Sequence, residues 1–171
     1  MGPNPVGHEP GTPQPLPRKI RVRLADTRSH YQALALALER ISGEDYGQAL
    51  ATRDAERLAV HAYPIERPFE ILTNYVIELA RMGLELAGKD STGTAPVILE
   101  RLRAEGVIGE QRRATLKSIH DQRNELQHEY PDARAALVYD AAAGLVDELP
   151  GFFRDYAAWM RQLGFATQQR K

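Results

Sequence analysis

The stretch HDQRNELQHEYPD, His120 to Asp132, crowds an arginine, two histidines, several amides and a tyrosine into thirteen residues. Arginine presents a rigid fork of N–H donors that fits a phosphate. Histidine holds or exchanges a proton near neutral pH. A fixed guanidinium beside an acid/base imidazole is equipment for cleaving a phosphodiester without a metal.

An ideal helix turns about 100° per residue. On such a helix Leu116, Ile119, Arg123, Leu126 and Tyr130 fall on one line at steps of 3, 4, 3 and 4. Arg123 thus takes a core-facing position between two aliphatic residues, where a guanidinium costs several kcal/mol unless an anion answers it. Beside that line come Gln127, His120, Arg113, Asn124, Lys117 and His128, with the carboxylates Glu110 and Asp121 at the margin. Pro131 disfavours helical geometry at Tyr130, so the helix is expected to stop near Glu129. His128 then lies in the last turn, where the helix dipole favours imidazolium. Asn124, one turn earlier, can orient it.

Two readings of this face remain open. In one, donors converge on a phosphate, with Arg123 and His128 as the working pair and Asn124 and His120 as support. In the other, the face is solvated and Arg123 pairs with a carboxylate from a neighbouring helix. His8, His30 and His61 stand alone and read as ordinary structural or surface histidines. Glu125 to His128, ELQH, matches the Glu-x-x-His of di-iron bundles, but such a site needs a second copy and the chain has none. No metal is expected. No nucleophile elbow, P-loop or glycine-rich dinucleotide turn is present either, so no cofactor is expected.

The elements that must position these residues are helical. Residues 1–17 hold six of the eleven prolines and read as a disordered tail. RKIRVRLADTR, residues 18–28, reads as a short strand on its Ile20/Val22/Leu24 alternation or as an extended basic arm. From Ser29 the period is that of a helix: Tyr31, Leu34, Leu38 and Ile41, closed by SGEDYG. Leu58, Ala62, Ile65, Phe69, Leu72, Val76, Leu79, Gly83 and Leu86 then alternate steps of 4 and 3. This predicts a long helix over about 54–87, kinked or broken near 64 by Pro64 and Pro68. APVILERLRAEG predicts a short helix ended by Gly106, and Glu110 to about Glu129 another. Val138, Ala141, Leu145, Leu149, Phe152, Tyr156, Met160 and Leu163 predict a last helix with a kink at Pro150. The expected architecture is an all-α up-and-down bundle over residues 29–168, preceded by a tail and arm over 1–28.

Bulk composition sets limits on partners. The chain has 171 residues, 26% charged and 43% hydrophobic, and a formal net charge of −1. That balance gives no global field for a polyanion, so nucleic-acid binding needs a local patch. With no cysteine, disulfides and thiolate metal sites are excluded, consistent with a reducing cytoplasm. No apolar run approaches the roughly 20 residues of a membrane span, and no secretion signal is expected.

RNELQHEY, Arg123 to Tyr130, resembles the arginine–polar–x3–histidine–x–tyrosine motif of HEPN-domain ribonucleases, in particular the HepT toxins of HepT/MntA modules. ERPFEILTNYVIELARMGLELAG is similar to that family's long second helix. VILERLRAEGVIGEQRRATLKSIHDQRNELQHEY is similar to its approach to the motif. The resemblance covers residues 29–165 and implies a bundle of about five helices that homodimerises, bringing two motifs into one cleft. It implies RNA as substrate and metal-independent cleavage through attack of the 2′-hydroxyl on the adjacent phosphate. Arg123 would hold the phosphate, His128 act as acid/base and Asn124 orient the site. Tyr130 would accept AMP from a cognate MntA-like nucleotidyltransferase antitoxin, silencing the toxin. The alternative is a non-catalytic HEPN-like module that binds a nucleotide or supports a partner.

Overall fold

The computed structural model describes residues 12–125 and 135–167. Helix α1 spans Arg18–Arg40, α2 Gly43–Thr52 and α3 Ala55–Arg57. A π-helical turn, Leu58–Ala62, leads into α4, Tyr63–Leu86. Helices α5 (Ala95–Ala104), α6 (Glu110–Glu125) and α7 (Ala135–Gln162) follow. The expected all-α bundle is present.

Helix α4 is the central element and packs against α1, α5, α6 and α7. Its neighbours run up and down around it. Lys19 bonds Glu85 at 2.7 Å, Arg23 bonds Glu78 at 2.8 Å, and the His30 ring meets Tyr75 edge-on. Rising numbers on α1 thus meet falling numbers on α4, so the two are antiparallel. Arg112 on α6 reaches both Glu148 and Asp155 on α7, while Ile119 lies near Gly144, so this pair is antiparallel too. The long 4/3 line of α4 is covered from within the chain: Ile65, Phe69, Leu72, Val76, Leu79 and Gly83 are all buried.

The kink expected near residue 64 takes the form of the π turn. Pro64 has no N–H for the carbonyl four residues back. Immediately before it the chain widens by one residue, and the Tyr63 N–H bonds to the Leu58 carbonyl five residues back. Pro68 is accommodated inside α4, and α7 continues through Pro150. Helices α4 and α5 both end in a left-handed glycine, Gly88 and Gly106, at φ +67° and +72°. The next N–H in each case, Lys89 or Val107, returns to a carbonyl five residues back, a Schellman closure.

Three local expectations are corrected. Residues 18–28 are neither strand nor extended arm but the first half of α1, starting directly after Pro17. SGEDYG closes one helix and opens another: the Ser42 hydroxyl accepts from the Asp45 N–H at 3.0 Å and caps α2, which buries Tyr46 and Ala49. The end of the proline-rich segment is ordered. Gln14–Pro15 (β1) pairs in parallel with Phe165–Ala166 (β2), and Leu16 is buried against the bundle. Among the described residues, no helix is long and apolar enough to cross a membrane.

Candidate active site

Helix α6 places the site. Leu116 and Ile119 are buried, which fixes the inward face of the helix, and Arg123 continues that line one turn on. Its side chain is only 13% exposed. The anion that answers it comes from the central helix: Glu70 Oε1 lies 3.1 Å from Arg123 Nη2. Arg123 Nη1 donates to Asn124 Oδ1 at 3.2 Å. Buried Arg123 Nε finds no hydrogen-bond partner among the described residues. The guanidinium is therefore held on two nitrogens, while the third, buried, has no acceptor among the described residues.

His120 lies one turn before Arg123 and is half-buried, its Nδ1 also without a partner among the described residues. Burial pulls its pKa below the ordinary histidine value, and the positive charge of Arg123 adds to that. A neutral imidazole at pH 7 carries one donor and one acceptor, which suits support of a bound group better than charge neutralisation.

The other cations of the expected donor sector are engaged elsewhere. Arg113 bonds Glu110 and lies 3.5 Å from Glu100, and Lys117 bonds Asp121 at 2.7 Å. Carboxylates that looked marginal on a helical wheel reach these cations along the same helix, because i,i+3 and i,i+4 side chains are neighbours. The convergent set among the described residues shrinks to Arg123, Asn124 and His120. The Asn124 Oδ1 accepts from Arg123, and the expected contact of Asn124 with His128 falls on a residue outside the described ones. His128, Tyr130, Gln127 and the predicted helix end near Glu129 lie outside the described residues.

Sequence reasoning missed the acidic side of the site. Glu66, one turn before Glu70 on α4, accepts the Tyr46 hydroxyl proton at 2.9 Å. Burial and the neighbouring Glu70 charge raise the Glu66 pKa, while that hydrogen bond opposes them. Tyr46 is raised in turn, first by burial and then by the Glu66 charge. A polar line thus crosses the bundle from α2 through α4 to α6. The signal was available in PIERPFEIL, where two carboxylates four residues apart interrupt an apolar helix. Which helix they would face was not.

A family model described as Ribonuclease HepT-like matches residues 32–155. Neither the curated proteins nor the solved structures give a significant match. The matched span contains the central helix, the helix bearing Arg123 and most of α7. The chain belongs to the HepT-like ribonuclease family.

Proposed function

We propose that the protein is a metal-independent endoribonuclease toxin whose site is built on Arg123 and His128. The observation that carries this reading is the state of Arg123. It is an inward-facing guanidinium, fixed on two nitrogens, with a buried Nε–H that no described residue accepts. An unsatisfied buried donor costs about 1–3 kcal/mol, and a phosphate oxygen is the acceptor that fits it.

In this reading an RNA phosphate docks on Arg123. The 2′-hydroxyl of the preceding ribose attacks phosphorus, its proton leaves to a base, and the bond to the 5′-oxygen breaks as that oxygen gains a proton. The products are a 2′,3′-cyclic phosphate and a 5′-hydroxyl. His128 is the residue proposed for these proton transfers, and Arg123 stabilises the charge that grows on the non-bridging oxygens. Two copies form the working unit, and an MntA-like nucleotidyltransferase silences it by placing AMP on Tyr130.

The Glu70–Arg123 pair favours a second reading, in which the arginine is a structural ion pair within a non-catalytic nucleotide-binding or partner-binding module. One experiment separates the two. Purified protein is incubated with total RNA in EDTA, wild type beside His128→Ala. Cleavage by the wild type is expected to persist in EDTA. The variant is expected to lose about 10²–10⁴-fold in rate with unchanged helical circular dichroism. Equal cleavage by both proteins rules out the mechanism, and absence of cleavage favours the binding module.

A further inference from the structure

The acidic partner of Arg123 deepens the ribonuclease reading and rests on it. A guanidinium has five N–H donors in one plane. Glu70 and Asn124 engage the two terminal nitrogens, and the Nε–H remains unpaired among the described residues. Glu70 stands on the most buried helix of the molecule, between Phe69 and the Leu72–Thr73 pair, so its backbone is rigidly placed. Glu66 is the other carboxylate on that stretch, and the Tyr46 hydroxyl holds it. Among the described residues it is Glu70 whose carboxylate meets the arginine.

We propose that Glu70 is a positioning residue for the reaction: it fixes the plane of the Arg123 guanidinium while opposing ground-state capture of phosphate. The two effects follow from one charge. A carboxylate against the fork locks its orientation, and it also repels an incoming phosphate. Tight binding of the ground state would add nothing to the chemical step, whereas a fork held in register meets the growing charge of the transition state. Glu70 therefore trades affinity for rate.

The test uses the full-length protein, wild type beside Glu70→Gln and Glu70→Ala, with thermal melts to match folding. In steady-state cleavage of RNA, Glu70→Gln is expected to lower KM and to lower kcat by about 10–10²-fold. Glu70→Ala should move both in the same directions. Loss of kcat with a raised KM, or no change in either at matched melting temperature, overturns the proposal. A second measurement does not depend on activity. The Arg123 side-chain Nε–H resonance, assigned by its loss in Arg123→Lys, is expected to shift and broaden in Glu70→Gln. An unchanged resonance shows that the pair does not hold the guanidinium and overturns the proposal on its own. A wild type that fails to cleave while the resonance responds as expected shows a different failure: the pair exists, but the ribonuclease reading falls and the catalytic role of Glu70 with it.

Discussion

Tyr130 stands two residues beyond His128 and seven beyond Arg123, close enough in sequence for a group attached to one to reach the other. AMP esterified to its phenol would bring a phosphate to the donors that an RNA phosphate needs, Arg123 among them. Tyr130→Phe keeps the ring and removes the acceptor oxygen. This variant is expected to remain toxic when the antitoxin is co-expressed. Intact-mass measurement after incubation with antitoxin and ATP should show added AMP on wild type only. Equal labelling of the Phe variant places the modification elsewhere. At this scale the sequence exposes one half of the site. Leu116, Ile119 and Arg123 share a line by simple helical counting, and the structure buries the first two and leaves the third 13% exposed on that side. Glu70 is invisible to counting, because its pairing spans 53 residues and depends on which helix lies across from α6.

The elements depend on how closely α4 and α7 approach. At Gly83 an added Cβ would collide with the ring of Trp159, a rigid side chain buried between the two helices. Gly83 is thus required by packing and not by backbone conformation. Gly83→Ala is expected to destabilise by about 1–3 kcal/mol, as overpacked cores do. For a domain of this size the melting temperature should fall by about 2–4 °C per kcal/mol. A melt unchanged from wild type refutes the close contact. The 4/3 line of α4, with Gly83 inside it, is legible from residue types alone. The first helix is instructive in the opposite sense. Ile20/Val22/Leu24 alternates as a strand would, yet Ile20, Leu24, Thr27, Tyr31, Leu34, Leu38 and Ile41 step by 4, 3, 4, 3, 4 and 3. Thr27 hides the pattern because it is polar. Its hydroxyl donates to the Arg23 carbonyl at 2.6 Å, so it is buried without an unsatisfied group. Helix α2 was obscured by its glycines, although Ser42 and Asp45 carry an N-cap signature.

For the whole molecule, a net charge of −1 leaves little long-range attraction for RNA, so binding must come from local concentration of cations. Among the described residues one copy contributes the Arg123 guanidinium at the site, and Glu70 already pairs with it. A cleft shared by two copies would supply two. The seam of α4 does not argue for such a dimer, since its own chain covers it. The apolar surface near the site argues for it instead. Val60, Tyr63 and Leu137 are each about half exposed. Val60 and Tyr63 precede Glu66 and Glu70 on the same helical run. Leu137 opens α7, next to Tyr139, whose ring meets Tyr46 and whose hydroxyl bonds the Ile41 carbonyl. Tyr46 in turn bonds Glu66, so these three apolar side chains belong to the end of the bundle that carries Arg123. A contiguous apolar patch can mark a surface that a partner covers, and the proposed dimer would cover these three side chains. The double variant Tyr63→Glu/Leu137→Glu is expected to keep its helical circular dichroism, to scatter light as a 19.1 kDa monomer and to lose cleavage. Wild type should give twice that mass. A wild type that scatters as a single 19.1 kDa species at micromolar concentration rules out the shared cleft, and each site would then have to hold its phosphate with one arginine.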